Sequence, residues 1–499
     1  MASTLITSAP GINRSIAESR QSLFDLQRQL ATGKAVKTYG ALGQDRSTIL
    51  SLRGELKQIE GYESTISQVN IRLDVLQQSL GRLRDVVSET RSETFVNAFE
   101  ISSGGQTLYQ LTTAGRFDEV IALLNTRVGD RYLAGGREIE KPPVLTPDEI
   151  LNGSGAKAGF KQVAEERRLA DLGADGRGRL VLPAPGGAAV SLAEDAAGHP
   201  FGFKLDAVAS NLTGATVTGP AGAPSTIGVT FSATLPRDGD RIEITLDLPD
   251  GTQDQIKLVA RGGAAGDGEF QIGADETATA ANFQVALDSA IQSAAQRSLS
   301  AASAFAAADD FFDFGAATPP QRVAGPPFET ATTLVDATAA NTVFWYQGEV
   351  SITPARQSAI AKADDSVLVP YGARANEEAF VTVMKSMAVL STETFSASDP
   401  SAADRYEEIR DRAGAALGFP AGTQTIDSIV TELTVATTTL GAAKARHDAN
   451  TILLRGFVEE SENADAYEIS AQILSLQNRI KASLQVTASL SRLSLVNFL

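Results

Sequence analysis

Residues 52–87 read LRGELKQIEGYESTISQVNIRLDVLQQSLGRLRDVV, and an apolar residue returns at every seventh position of this stretch. A second apolar series follows three residues behind the first, and only Glu55 interrupts it. The first series consists of Leu52, Ile59, Ile66, Leu73, Leu80 and Val87, and the second of Tyr62, Val69, Leu76 and Leu83. This pattern predicts a coiled-coil helix of about 45 residues, on the order of 70 Å long. Because one helix cannot bury such a seam by itself, the rod requires partner helices.

Helical periods also occupy both ends of the chain. The first helix is predicted at 12–30, with Leu23, Leu26 and Leu30 among its apolar positions, and the glycine-rich stretch 31–43 ends it. The last is predicted at 463–496, where the apolar positions step by threes and fours through Ile469, Ile473, Leu476, Ile480 and Leu484. Other helices are predicted at 108–128, 376–391, 401–416 and 424–459. Thr146-Pro147-Asp148-Glu149 has the pattern of a capping box with proline at the first helical position.

The middle of the chain changes to a period of two, which is typical of strands. In 241–248 the apolar positions alternate with polar ones, a Pro-Asp-Gly turn follows, and Ile256 and Leu258 mark a returning strand. Ile227, Val229 and Phe231 alternate in the same way. One helix interrupts the strands at about 280–297, with Phe283, Leu287 and Ile291 on one face. We also predict a hairpin connection at 262–268 and a short buried strand at 342–346.

These periods predict a multidomain α+β protein, in which a long antiparallel coiled-coil rod of terminal α-helices carries an inserted strand-rich central region. The predicted segments are an N-terminal assembly helix and glycine-rich turn at 1–43, the N-terminal half of the rod at 44–152, the strand-rich insert at 153–335, a return segment at 336–395, the C-terminal half of the rod at 396–460 and a C-terminal assembly helix at 461–499. We expect the terminal helices to pack on each other, and neighbouring subunits to cover any seam that remains.

Composition excludes several functional classes. The net charge of −17 argues against nucleic acid and anionic membranes as partners, because both bind clustered basic residues. The absence of cysteine excludes disulfides and thiolate metal sites. No apolar run is long enough to span a bilayer, and the first 20 residues lack the charged and apolar regions of a secretory signal peptide.

The residues of common catalytic sites are scarce. The chain has two histidines, His199 in a turn and His447 on a helix, and both are predicted to be solvated rather than to bind a metal. The glycine-rich stretch 173–178 has neither dinucleotide-binding nor P-loop spacing and is interpreted as a loop before a strand. Trp345 and Tyr346 are interpreted as a core anchor, with a carbohydrate platform as the alternative. We predict no catalytic residue, cofactor or metal, and therefore no enzyme.

Three segments are distinctive: LQRQLATGKAV at 26–36, GDRYLAGG at 129–136 with Pro142-Pro143 behind it, and LSLVNFL at 493–499. The first resembles the "L..RLSTGKRI" segment of bacterial flagellins and of the related hook-associated protein 3 (hook–filament junction) family. The second is similar to the "G.YLFSG…PF" segment of junction proteins, and the third to the apolar tail of the family. The resemblance covers about 1–150 and 400–499.

Two departures from the family pattern point in different directions. Residues 39–45 read YGALGQD in place of the "DDAAG"-like segment of flagellins, which favours the junction-type branch. The insert is large for a junction protein and closer to that of a flagellin. A filament flagellin therefore stays open as the alternative. From another class, we also consider an extracellular glycan-binding protein or enzyme with a helical stalk.

The resemblance implies a structural subunit of the flagellar axial filament, exported without a cleavable signal peptide and polymerised outside the cell. Its partners would be further copies, flagellin and other hook-associated proteins, the export apparatus, and an export chaperone at the C-terminal helix. Nucleic acid and membrane insertion are not expected. The implied packing residues are those of the two heptad series and terminal helices, together with Leu495 and Phe498. The implied family loop consists of Gly129, Tyr132, Leu133 and Gly135.

Overall fold

The computed structural model describes residues 8–43, 45–95, 99–315 and 318–496. The chain is 51% helix and 16% strand, so it is an α+β protein. It forms two compact units. The first unit comprises Met1–Val69, Lys362–Val369 and Thr438–Leu499, and the second unit comprises Asn70–Ala361 and Pro370–Thr437. The division into six segments stays a prediction.

Helices dominate the first third of the chain. In order, they and two short strands are α1 (Ser8–Thr32), α2 (Asp45–Glu93), α3 (Leu108–Leu124), β1 (Arg127–Val128), β2 (Arg131–Tyr132), α4 (Pro147–Asn152) and α5 (Phe160–Leu172). The prediction for α3 is too long, because its last residues form β1. The capping box is confirmed: the Glu149 N–H donates to the Thr146 hydroxyl, and the Glu149 carboxylate accepts the Thr146 N–H.

Eight strands follow and form two four-stranded sheets. They are β3 (Leu180–Val181), β4 (Ala189–Glu194), β5 (Lys204–Ser210), β6 (Ala215–Ala221), β7 (Thr226–Phe231), β8 (Arg241–Asp247), β9 (Gln253–Arg261) and β10 (Glu269–Gln271). The sheet orders are β3-β4-β7-β6 and β10-β9-β8-β5. The predicted pair of β8 and β9 is confirmed, with Ile242 opposite Leu258 and Ile244 opposite Ile256. The predicted hairpin at 262–268 is wrong, because β10 runs parallel to β9.

Two consecutive helices close this region. α6 (Glu276–Ala294) continues through a π-helical turn, Ala295–Leu299, into α7 (Ser300–Phe312). Phe283, Leu287 and Ile291 of α6 join the core between the two sheets. The predicted helix at about 280–297 is confirmed, although it begins four residues earlier, whereas α5 and α7 were not predicted. Ten of the 13 residues of α7 are buried, and most of them are small residues such as alanine.

The rest of the chain returns to helix. Its elements are β11 (Gln321–Val323), β12 (Leu334–Asp336), β13 (Ile360–Lys362), β14 (Leu368–Pro370), α8 (Glu378–Thr392), α9 (Ala402–Ala416), α10 (Ile426–Glu462) and α11 (Ala466–Val496). The four predicted helices are confirmed to within a few residues at each end. Within the described ranges, no helix combines the length and apolar character needed to cross a bilayer.

The predicted strand at 342–346 is wrong, although its residues are buried as expected. Only isolated bridges form there, from Thr342 to Ala158 and from Tyr346 to Val144. Trp345 is fully buried, and its indole N–H donates to the Phe312 carbonyl over 3.0 Å. The core-anchor interpretation is confirmed. A carbohydrate platform would need an exposed ring face, so that alternative is wrong.

The prediction that both histidines are solvated is also wrong. His199 is 5% exposed and His447 is 3% exposed. In the first unit, the His447 Nε2 lies 2.7 Å from the Ala363 carbonyl, and its ring stacks on Tyr62 with the centroids 5.6 Å apart. The Tyr62 hydroxyl in turn donates to Asp365 over 2.7 Å. A seam residue of α2 thus helps to fix the 362–369 segment against the helices of this unit.

Candidate assembly surface

The heptad seam of α2 is covered by the chain itself. Leu52 and Tyr62 are half-buried, whereas all the seam residues from Ile66 onward are buried. The buried seam residues are Ile59, Ile66, Val69, Leu73, Leu76, Leu80, Leu83 and Val87. A charge at one of these positions would therefore disturb the folded chain before it disturbed any contact between copies.

Polar contacts connect α2 with α10 in each unit. The first unit contains the pairs Arg53–Glu462 at 2.7 Å and Glu60–Arg455 at 3.9 Å, and the second contains Gln77–Thr437 at 3.4 Å and Arg84–Asp427 at 3.4 Å. Within each unit, the higher residue number on α2 meets the lower number on α10.

A glycine turn joins the end of α1 to the connection between α10 and α11. Gly33 has a φ of +65°, which a residue with a side chain rarely adopts. Its carbonyl accepts the Ala464 N–H over 3.0 Å, and the Ala35 N–H donates to the Glu462 carbonyl over 2.8 Å. The TG dipeptide at 32–33 therefore has a local structural role, since it stops α1 and turns the backbone into this contact.

The carboxylate of Glu462 forms an ion-pair cluster at the same place. Its side chain is 8% exposed and accepts two hydrogen bonds from Arg53, at 2.8 and 2.7 Å. Lys34 lies 3.4 Å from Glu462 and also donates to Asn463 over 3.0 Å. The Arg53 hydrogen bonds, followed by its charge and the contact with Lys34, hold the pKa of Glu462 below its ordinary value.

The terminal helices α1 and α11 pack against each other but cover few of their apolar side chains completely. Ile469 is buried, and Leu30 and Leu484 are both 43% exposed. Half-buried positions are Leu23, Leu26, Ile473, Leu476 and Ile480. A groove of about 460 Å³ lies between Leu26 and Leu476. The side chain of Leu495 and the whole of Phe498 lie outside the described residues.

Large apolar side chains are exposed at high density in the first unit. Half of those exposed in the described part of the chain lie here, although the unit contains only 139 of the 499 residues. They are Phe24, Leu30, Leu50, Leu368, Ile452, Leu453, Phe457, Tyr467, Leu474, Leu484 and Val486. Single exposed apolar residues are ordinary, but this concentration makes the first unit the candidate interaction surface.

Most of these exposed residues were not predicted, although the sequence contains a signal for some of them. Adjacent residues on a helix are about 100° apart, so an apolar doublet places one member away from the packed seam. In Leu453-Leu454 the second residue is buried and the first is exposed. In Ile473-Leu474 the second residue is the exposed one.

The family-loop residues lie in the second unit and contact the return segment of the chain. Gly129 has a φ of +64° in the turn between β1 and β2, and the Tyr132 N–H donates to the Ile139 carbonyl over 2.9 Å. Leu133 is half-buried, and its N–H donates to the Thr126 carbonyl. A β-carbon on Gly135 would clash with the Glu138 carbonyl. The Gly135 carbonyl accepts the Glu349 N–H over 2.9 Å, which ties the loop to that segment.

The negative charge of the chain is unevenly distributed. Residues 1–43 contain five basic and two acidic side chains, and residues 461–499 contain three of each. The sequence between these stretches is therefore even more acidic than the net charge of −17 for the whole chain indicates. The terminal stretches can approach copies of themselves without concentrating like charges.

The described residues contain no group of three or more histidine, aspartate or glutamate side chains arranged to hold a metal ion. Comparison with known protein families gives no matching family, and comparison with curated proteins gives no matching relative.

We predict that Glu462→Gln lowers the free energy of unfolding of the first unit by about 1–3 kcal/mol at pH 7, because it removes a nearly buried charge that binds Arg53. Since the pKa of Glu462 is lowered on folding, its contribution is complete above the ordinary value of 4.5 and is lost as the pH falls through the folded value. The measurement is urea unfolding followed by far-UV circular dichroism at neutral and acidic pH.

Glu18→Gln is the matched control, because Glu18 pairs with Arg14 on the surface, where the two side chains are 72% and 85% exposed. Its effect should be close to zero. An equal loss for both variants, or a Glu462→Gln effect that persists unchanged in acid, would contradict the role of this cluster.

Proposed function

We propose that this chain is an extracellular structural subunit of a bacterial flagellar axial filament. The resemblance of residues 26–36 and 129–136 supports the flagellar assignment, and the 129–136 loop favours a hook–filament junction protein over a filament flagellin. The observation that carries the proposed mechanism is the density of exposed apolar side chains in the first unit. Its mechanism is polymerisation through the terminal helices.

In this proposal, the terminal helices form an antiparallel coiled-coil rod. The order of the pairs between α2 and α10 supports it, because residue numbers rise on one helix as they fall on the other. The backbone hydrogen bonds between the Gly33 turn and the connection after α10 join the end of α1 to the beginning of α11, which supports an antiparallel arrangement of these two helices as well. The buried seam residues then hold the rod together, and the exposed apolar residues remain for contacts between copies.

The energy for polymerisation comes from removing these side chains from water. Burying one Leu, Ile or Phe contributes about 1.5–3 kcal/mol. A few such residues on each copy offset the loss of translational and rotational freedom, which costs at least about 4 kcal/mol. Before assembly, exposed residues on α11 such as Tyr467 and Leu474 give an export chaperone an apolar surface to bind.

We predict that the double variant Ile452→Ser/Leu453→Ser assembles poorly while its fold is retained, because both side chains are exposed on α10. Loss of their burial between copies should raise the critical concentration for polymerisation by about tenfold or more. The measurement is sedimentation and electron microscopy of the purified chain in sulfate salts, which strengthen apolar association.

Val285→Ser, at an exposed position of α6 in the second unit, is the control. It should assemble like the unmodified chain. Unchanged polymerisation of the double variant, with circular dichroism showing an intact fold, would remove Ile452 and Leu453 from the proposed surface. Failure of the unmodified chain to polymerise, alone or on preformed flagellar ends, would count against the whole proposal.

A deletion strain of the source bacterium separates the junction protein from the filament flagellin. For a junction protein, we expect hooks without filaments and flagellin monomers in the medium, because the filament has no base on which to grow. Immunogold labelling with an antibody to residues 180–330 should then mark only the filament base in unmodified cells. Labelling along the whole filament would identify a flagellin, and labelling nowhere on the flagellum would contradict the class.

A further inference from the structure

His199 is enclosed in the connection between β4 and β5, in the second unit, where it is 5% exposed. The Phe201 N–H donates to its Nδ1 over 3.2 Å, and its Nε2 lies 2.6 Å from the Asp195 carboxylate. Because a backbone N–H can only donate, Nδ1 carries no proton and must accept. The hydrogen is therefore on Nε2 and is donated to Asp195, so this geometry selects one neutral tautomer of the ring.

Two positively charged side chains lie beside the ring or its partner Asp195. The Lys204 Nζ lies 3.5 Å from Nδ1 and 3.4 Å from Nε2, and it is held there by a 2.8 Å hydrogen bond to the Phe201 carbonyl. Arg179 pairs with the other oxygen of Asp195 at 2.6 Å and donates to the Glu329 carbonyl over 2.8 Å. Asp195 is thus already shared between a guanidinium and the neutral imidazole.

Helices α5 and α7 hold the same turn from their side. Arg167 of α5 donates to the Pro200 carbonyl over 3.2 Å, and its guanidinium lies 5.2 Å from the centre of the Phe201 ring. Asp171 of α5 accepts the Gly202 N–H over 2.8 Å. Arg167 also pairs with Asp171 at 2.9 Å and with Asp310 of α7 at 2.7 Å. The turn at 199–202 is therefore a point where the strand region is fixed to these two helices.

A proton on Nδ1 would break this arrangement. The Phe201 N–H would lose its acceptor and would face a second donor, while Lys204 would face a charged ring. Burial, followed by the charge of Lys204, lowers the pKa of His199 against the opposing effect of Asp195. Because the folded pKa is below the ordinary value of 6.5, the stability contributed by the neutral ring is complete above that value. It falls as the pH drops toward the folded pKa.

We propose that His199 is an acid-sensitive lock, whose neutral ring fixes the β4–β5 turn on α5 and α7 and whose protonation releases it. The charged groups that face the lock are Asp195 and Lys204 on its own connection, Arg179 before β3, Arg167 and Asp171 on α5, and Asp310 on α7. The positive charges of Lys204 and Arg179 both oppose a further positive charge on the ring, so acid opens the lock instead of strengthening the bond to Asp195.

The test is hydrogen exchange of the full chain at about pH 7 and about pH 5, followed by mass spectrometry of peptides that cover 195–205. After correction for the intrinsic pH dependence of exchange, we expect opening of this segment to rise in acid, by up to about tenfold for each pH unit between the folded and the ordinary pKa of His199. His199→Asn removes the titrating ring but keeps an acceptor for the Phe201 N–H, so its opening should change little with pH. His447→Asn is the matched control, because it removes the other histidine and should leave the acid response of 195–205 intact.

A second measurement on the unmodified chain keeps the test valid if His199→Asn does not fold. Because the chain contains only two histidines, selective ¹⁵N-histidine labelling gives two ring signals that can be followed by NMR. We expect His199 to be neutral at pH 7 with its hydrogen on Nε2. A charged ring or an Nδ1–H tautomer at pH 7 would overturn the proposal. An acid response at 195–205 that persists in a folded His199→Asn variant, or no response in the unmodified chain, would also overturn it.

Discussion

The seam of α2 imposes the main constraint on this chain, because its apolar side chains must be covered along nearly the whole helix. The chain supplies the cover itself, and polar pairs such as Arg53–Glu462 and Arg84–Asp427 connect α2 with a helix that lies 343 to 409 residues later at these contacts. Segments from both ends consequently belong to one compact unit. The strand-rich region lies in the sequence between helices that pack on each other. It has its own core between the two sheets and α6.

Although the seam of α2 is covered, the terminal helices still expose apolar side chains to solvent. α1 and α11 pack on each other, yet side chains such as Phe24, Tyr467 and Leu474 remain open to water. A unit with a large core could tolerate a few such residues, but this unit consists mostly of helices and has little interior. The exposed apolar side chains and the low net charge of the terminal stretches are the two properties that favour association with copies of the same chain.

The sequence predicts the elements that have one buried and one exposed face. It misses those that are buried on all sides and those that are enclosed only by residues distant in sequence. α2 and β8 show their periods because each has a covered and a wetter face. α7 was missed, and nearly all of its mostly small residues are buried. The turn at His199 looks solvated in sequence, and only contacts from distant Arg167 and Asp171 enclose it. For the assembly surface, the period identifies apolar positions but not which of them the folded chain leaves uncovered.

Because the chain contains no cysteine, assembly through the terminal helices can be tested by labelling single cysteines introduced at chosen positions. Tyr467 and Ile452 are exposed in the first unit, and Val285 is exposed in the second. Three variants each replace one of these residues by a single cysteine. The rate of maleimide labelling is measured for each variant as a monomer and as a polymer. We predict that polymerisation protects the cysteines at 467 and 452 and leaves the one at 285 reactive. Equal reactivity at all three positions in the polymer would contradict assembly through the terminal helices.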